Sequence, residues 1–289
     1  MSDSGRALRA YGQVFDEVAC AYDEFRRGYP DELVDAALAR GGLTRGARVI
    51  EVGCGTGKLT ESLAERGLRV DAVDPGARMI EVARERVGAS GDVAFHLGTF
   101  EEVDLPEAAF DAVFSATAFH WVDPAVGWTK VARHLRRGGV LALLAHTSVR
   151  TERSDDVDGE FQALLRKHAP ELTSDWQPER DLETLVRGLD ARRSNMSQLW
   201  DWGSHGRFGL EVAEAADLFE DVEVATVVTD LDETADRLLS LFRTTSLYFR
   251  IPAERRAPFE SDFRRFVDRH GGTLRSSLAT VLATARRAG

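Results

Sequence analysis

The densest run of chemistry-bearing residues in the chain is Glu51-Val52-Gly53-Cys54-Gly55-Thr56-Gly57. Its glycines alternate, directly after an apolar run and directly before a helix-period segment. That pattern suits a backbone that must turn tightly, approach a ligand closely and let a helix pack against a strand. The helix that follows opens with unpaired N–H groups. Asp74 lies 21 residues beyond Gly53 and closes the next apolar run. A carboxylate at that place can accept both hydroxyls of a ribose.

Two ribose-bearing cofactors fit such an acid. A dinucleotide asks for G-x-G-x-x-G, and here the spacing is G-x-G-x-G with Lys58 next, so that pattern is not met. S-adenosylmethionine has the ribose and no phosphate. Proton-transfer candidates are histidines. His120 follows an apolar run, and an unperturbed histidine titrates near neutrality, which makes it the first candidate for a general base or a loop-positioning hydrogen bonder. His146 ends another apolar run and is the second, and His205 is a third. His96, His134, His168 and His270 fall on strand interiors, helices or loops and read as structural. No pair of histidines or carboxylates has metal-ligand spacing, so no metal is expected.

These residues need elements to hold them. Short apolar runs alternate with helix-period segments over roughly residues 31–146, the pattern of a parallel sheet with crossover helices. Strands are expected at Ala47–Gly53, Arg69–Asp74, Val93–Leu97, Phe110–Ala116 and Val140–His146. Helices are expected at Lys58–Arg66, Ala77–Val87 and Pro124–Arg137, the last closed by Gly138-Gly139. Ahead of the sheet, Leu8–Arg26 and Asp31–Arg40 read as helices. Residues 150–217 are polar and helix-prone and hold Trp176, Trp200 and Trp202, with no convincing strand. Asp221–Val228 returns to strand character, and helical stretches follow near 233–242 and 259–269. The final TLRSSLATVLATARR is ambiguous between helix and strand.

The whole is expected to be an α/β fold: a Rossmann-like, seven-stranded, mostly parallel sheet with an antiparallel last strand and a helical cap insertion. The division expected is 1–149 for N-terminal helices and core, 150–217 for the cap and 218–289 for completion of the sheet. The cap should set specificity, with its tryptophans either lining an aromatic pocket or anchoring it to the sheet. Trp121 reads as a pocket wall or packing residue. Tyr11, Phe15, Trp200, Arg243, Ser246 and Tyr248 are further substrate candidates, Arg243 as a carboxylate partner. Arg192-Arg193 reads as a solvated face.

Composition narrows the function. The 289 residues carry 37 basic and 48 acidic side chains, a formal charge of −11. That opposes a nucleic-acid footprint, which needs a basic face. Cys20 and Cys54 make neither a C-x-x-C site nor a disulfide framework, as in a reducing compartment. The opening MSDSGRALRAYGQVFDEV has no apolar core of a secretory signal. The longest clean apolar run, Val140–Ala145, is far below the ~20 residues of a membrane span. A soluble, cytoplasmic protein is expected, a monomer or homodimer, with no membrane partner.

Several motifs together carry a resemblance. E-x-G-C-G-T-G resembles motif I of the class I S-adenosylmethionine-dependent methyltransferases. Tyr22-Asp23-Glu24-Phe25-Arg26-Arg27-Gly28-Tyr29-Pro30 is similar to the Y-x-x-x-R-P-x-Y-P segment of small-molecule members, with Arg27 where that pattern has proline. Ala118-Phe119-His120-Trp121 resembles the A-x-H-W stretch of the trans-aconitate methyltransferase-like, or methyltransferase type 11, branch. HLRRGGVLAL resembles R-x-L-K-P-G-G-x-L, with Arg137 replacing proline. The likeness covers roughly residues 11–146 and thins in the cap.

The resemblance implies S-adenosylmethionine as methyl donor, S-adenosylhomocysteine as product, no metal, and a small-molecule acceptor of bacterial secondary metabolism methylated on oxygen, nitrogen or carbon. It implies Glu51 near the methionine amino group and Gly53, Gly55 and Gly57 beneath the cofactor. Asp74 would take the ribose, Pro75 and Met79 would flank the adenine, and Thr99 and Phe100 would meet its edge and face. Ala116 would lie near the sulfonium, with Tyr22 and Arg26 closing over the cofactor. It also implies a C-terminal antiparallel hairpin whose last strand is Leu274–Arg286. Two other uses of the fold stay open: a non-methylating reaction such as cyclisation of the cofactor's own chain, and a cofactor-binding module without turnover.

Overall fold

The computed structural model describes residues 15–88 and 91–289. Five parallel strands form its centre: β1 (Arg48–Val52), β2 (Arg69–Asp74), β3 (Asp92–Leu97), β4 (Phe110–Ala116) and β5 (Leu135–Arg150). A two-residue β6 (Arg180–Asp181) pairs only with the far end of β5. The long β7 (Phe219–Thr234) and β8 (Thr273–Arg287) complete the sheet, in the order β3-β2-β1-β4-β5-β8-β7. β8 runs antiparallel to both neighbours.

Helices α1 (Ala19–Phe25) and α2 (Asp31–Gly41) precede the sheet, and α3 (Lys58–Glu65), α4 (Ala77–Val87) and α5 (Pro124–His134) cross over it. Strand side chains alternate between two apolar cores. Val49, Ala112, Phe114, Val140 and Ala142 pack on the side of α2 and α3. Ile50, Val113, Leu141 and Leu143 pack on the side of α5. Trp128 of α5 is fully buried there, and its indole N–H donates to the Leu210 carbonyl at 3.0 Å, pinning the cap to the sheet.

The cap begins with α6 (Asp158–His168) and a 3-10 turn, Pro170–Asp175. It continues through α7 (Leu182–Asp190), α8 (Met196–Gly203) and the short α9 (Ala215–Leu218). Between β7 and β8 the chain forms α10 (Ala235–Phe242), α11 (Ser246–Arg250) and α12 (Ala253–Arg269). A third apolar cluster joins Phe161 and Leu165 of α6 to Leu239, Phe259 and Phe263 of α10 and α12, so helices on both sides of β7 share one core.

Three expectations are corrected. The helix from Pro124 ends at His134 rather than Arg137, and β5 starts at Leu135. Gly138-Gly139 does not stop a helix; it absorbs an irregularity inside the strand, where the register against β4 shifts between Phe110 and Ala112. A side chain on Gly139 would crowd the carbonyls of Arg136 and Asp111 at 2.9 and 3.1 Å. The C-terminus, ambiguous by its residues alone, is the last strand that the resemblance implied: β8 is paired along both edges and buried over Ala279–Ala285. The sheet counts eight strands rather than seven once β6 is included. Of Leu8–Arg26, the described part is a 3-10 turn over 15–18 followed by α1, which ends at Phe25. No helix among the described residues is long and apolar enough to cross a membrane.

Candidate active site

The loops after β1 to β5 meet at one edge of the sheet, where ligands bind in open α/β folds. A cavity of about 630 Å³ opens there. It begins at the glycine-rich loop. Gly53 and Gly55 have φ of +71° and +53°, a region costly for other residues. A Cβ on Gly53 would collide with Ala118 Cβ in the loop after β4, so the two loops touch only because residue 53 has no side chain. A Cβ on Gly55 would meet no protein atom within 4 Å; Gly55 lines the cavity.

Asp74, 8% exposed, ends β2 against this loop. Its carboxylate accepts from Gly55 N and Gly76 N, each at 2.8 Å. Burial raises its pKa despite these bonds. Each oxygen keeps a second lone-pair direction, and the residue faces the cavity. A buried acid, a glycine-rich loop that leaves Gly55 facing open space, and the adjacent cavity fit a ribose-bearing cofactor. Pro75, Met79, Thr99 and Phe100 continue the wall at this end.

Glu51 sits instead at a small adjoining recess, shared with Tyr22, Arg26, Thr117 and His146. It is 1% exposed and accepts from Thr60 Oγ1 at 2.6 Å. Burial pushes its pKa up to about 8. Gly57 lies outside both spaces, as the N-cap of α3 with φ +82°. Its bare Cα allows α3 to rest against Ala83 of α4, a packing role in place of the expected one beneath a cofactor.

Beyond Ala116 the cavity widens into an aromatic chamber. Phe15, Tyr22, His120, Trp121 and Phe208 form a chain of ring contacts at 4.5–5.8 Å, and Trp200 completes the wall. His120 keeps some surface on the cavity but is otherwise enclosed. That enclosure, with Arg207 and Arg26 nearby, lowers its pKa to about 3. Burial lowers His146 to about 4, with Arg26 adding to it, and His205 to about 4, with Arg180 and Arg207 adding. All three imidazoles are therefore neutral at pH 7 and weak proton acceptors.

Arg26 also lines the cavity, held by Thr244 through Nε to Oγ1 and a terminal nitrogen to the carbonyl, both at 2.9 Å. The neighbouring Thr245 and Ser246 reach the wall. Arg243 and Tyr248 do not. Arg243 pairs with Glu260 of α12 at 2.5 and 2.8 Å, and Tyr248 donates to the same carboxylate at 2.7 Å. The carboxylate expected from a substrate is supplied within the cap. Trp202 packs on Gly188 beneath Arg180 and Arg192, and Trp176 packs on Phe161, so both anchor the cap. Tyr11 lies outside the described residues. No group of three or more His, Cys, Asp or Glu able to hold a metal occurs among the described residues.

Sequence reasoning missed Thr117, Arg207 and Phe208. Thr117 has φ +53° without being glycine, which no residue type announces. Arg207 and Phe208 stand in Gly203–Phe208, where two glycines flank His205; that turn signal was available in the sequence.

A methyltransferase-domain family model matches residues 50–143. An uncharacterised methyltransferase of Mycobacterium tuberculosis is 41% identical over 171 residues, 59% of this chain and 63% of that protein. A ubiquinone biosynthesis O-methyltransferase of Methylocella silvestris is 34% identical over 147 residues, half of this chain and 57% of the relative. The matches thus span less than two thirds of these relatives' length. Among solved structures, a protein of Anaeromyxobacter dehalogenans provisionally classed as a type II methyltransferase superposes with a TM-score of 0.57 at 24% identity, covering 91% of this chain and 98% of its own.

Proposed function

We propose that this chain, whose residues 50–143 match a methyltransferase-domain family model, is a class I S-adenosylmethionine-dependent methyltransferase, and that its cavity takes S-adenosylmethionine at one end and a small-molecule acceptor at the other. One observation carries the reading: a single cavity runs from Asp74 and the glycine loop, past Ala116, into the chamber of Trp121, Trp200 and Phe208. Asp74 would hold the ribose hydroxyls. Met79, Pro75 and Phe100 would enclose the adenine, and Glu51 would meet the amino group of the methionine part across the recess.

When bound, the cofactor supplies a methyl group on a good leaving group. What remains for the protein is alignment and exclusion of water. Tyr22 and Arg26 would cover the cofactor from α1. Arg27 ties α1 to Glu233 at 2.9 Å, and Arg237 ties it through the Phe25 carbonyl at 2.8 Å. His120, held neutral, is suited to hydrogen-bonding an acceptor and poorly suited to removing a proton from a weak acid.

The test is calorimetric titration with S-adenosylhomocysteine, with NADH as control. Micromolar binding of the first alone is expected. Binding of NADH, or of neither, would overturn the reading.

A further inference from the structure

Glu51 has neither water nor a counter-charge. At 1% exposure its carboxyl has one described hydrogen bond, from Thr60 Oγ1 at 2.6 Å, and no described ion pair. Its other oxygen is without a described partner, on a residue that lines the recess. The cations around that recess are each bonded elsewhere. Arg26 donates to Thr244 at 2.9 Å and lies over the ring of Tyr22. Arg27 pairs with Glu233 at 2.9 Å, and Lys58 donates to the Asp23 carbonyl at 2.8 Å. The other titratable groups there bring no positive charge. Burial holds Tyr29 and Cys54 in their protonated, neutral forms and holds His146 neutral as well. The charge that does reach Glu51 is that of Asp74, which has the same sign.

A carboxyl so placed favours its uncharged form, because ionisation would leave a buried charge unpaired. Burial accordingly pushes Glu51 up to about 8. The recess has a volume of about 40 Å³. A water-sized group needs about 10–15 Å³ of such space, so the recess has room for an ammonium. Gly53, Gly55 and Ala116 line the recess and the main cavity alike. A ligand seated in the cavity can therefore extend a branch to Glu51.

We propose that Glu51 reads the charge of the cofactor's amino group: its carboxyl is protonated in the free protein and releases that proton to solvent as the ammonium of the methionine part enters the recess. The proposal rests on the reading of this cavity as an S-adenosylmethionine site. An ammonium beside a neutral carboxyl would itself be a buried charge without a partner. Beside a carboxylate it forms a buried ion pair, in which each charge offsets the cost of enclosing the other. The ammonium keeps its own protons, and the proton of the carboxyl goes to the buffer. A ligand without an amino group gives Glu51 no partner for ionisation, so nothing is released. Protons thus compete with the cofactor, and affinity rises with pH until the free protein has itself lost the proton.

The experiment titrates the full chain calorimetrically between about pH 6 and pH 7.5, in phosphate and in Tris, whose heats of ionisation differ. The ligands are S-adenosylhomocysteine and 5′-methylthioadenosine, which keeps the ribose and adenine and has no amino group. For S-adenosylhomocysteine, affinity is expected to rise about tenfold per pH unit, and the two buffers are expected to report the release of close to one proton. For 5′-methylthioadenosine neither effect is expected. Glu51→Gln still accepts from Thr60 and has no proton to lose, so it is expected to bind S-adenosylhomocysteine without proton release. Release that persists in Glu51→Gln, or that 5′-methylthioadenosine produces equally, overturns the proposal. So does S-adenosylhomocysteine binding to wild type with no proton exchanged, which decides the matter even if Glu51→Gln fails to fold. These outcomes leave the methyl-transfer reading standing. Failure of S-adenosylhomocysteine itself to bind overturns that reading and this proposal with it.

Discussion

The ring of Tyr29 lies flat on the ring of His146, with centroids 4.8 Å apart and planes 2° from parallel. Tyr29 donates its hydroxyl to Thr117 Oγ1 at 2.9 Å, and His146 Nδ1 lies 2.9 Å from Thr280 Oγ1. The pair thus links the chain before the sheet to the loop after β4 and to β8, at the junction of the cavity and its recess. Tyr29→Phe keeps the stack and removes the bond to Thr117. It should cost about 1 kcal/mol, the usual net worth of such a bond, read as a lower urea midpoint at unchanged slope. No change in midpoint would mean that the hydroxyl does not hold Thr117.

Acid should weaken the fold through the three half-buried imidazoles. His120, His146 and His205 stay neutral to about pH 3–4 when folded, whereas the unfolded chain protonates them near 6.5. The unfolded state then binds more protons, so their contribution to stability is lost as pH falls from 6.5 toward 4. Glu51 acts in the opposite direction. Folded, it keeps its proton to about pH 8, while unfolded it loses it near 4.5, so it destabilises increasingly as pH rises between those values. The advantage of Glu51→Gln over wild type should therefore grow from pH 4.5 to 8 in urea titrations. A pH-independent difference would contradict the assignment.

Gly53→Ala and Gly55→Ala should fail in different ways. The first forces a methyl group into Ala118 and should cost about 2 kcal/mol or more from strain and overpacking together. The second meets no protein atom, so it carries only the backbone cost of about 1–2 kcal/mol. Its methyl group enters space assigned to the cofactor. Thermal melts should rank Gly53→Ala as the less stable, and calorimetry should find S-adenosylhomocysteine binding lost in Gly55→Ala protein that remains folded.

Asp74→Ala should weaken S-adenosylhomocysteine by roughly 1.5–3 kcal/mol, the scale of hydrogen bonds to a charged group. The carboxylate also holds Gly55 N and Gly76 N, so Asp74→Asn, which can keep one of those bonds, should fall between the two proteins in calorimetric affinity. Equal affinity in all three would remove Asp74 from the ribose.

The readable parts of the sequence were those fixed by local rules. β2, β4 and α4 begin and end where apolar runs and helix periodicity place them, because buried parallel strands read as unbroken apolar stretches. Gly138-Gly139 misled because the same dipeptide ends a helix or bulges a strand, and only the partner strand β4 decides. Arg243 and Tyr248 misled for a related reason. Glu260 pairs with Arg243 and accepts from Tyr248 from another helix, an arrangement that no short window contains. The place of His120 beyond the fourth strand is legible in the sequence, but its neutrality is not, since part of its enclosure comes from Phe208, which is remote in sequence.

Thr234 and Thr273 face each other as the last paired residues of the β7–β8 ladder. Everything between them, α10 to α12 included, leaves and re-enters the sheet through a doorway one residue pair wide. A tight turn would close the same hairpin. The chain can therefore lengthen, shorten or exchange this excursion without moving a single rung of the ladder. The part of the molecule that reaches Ser246 toward the acceptor end and grips Arg26 is, in topological terms, an excursion hung from a ladder whose strand pairing closes without it, and it is held in place by the apolar core it shares with α6.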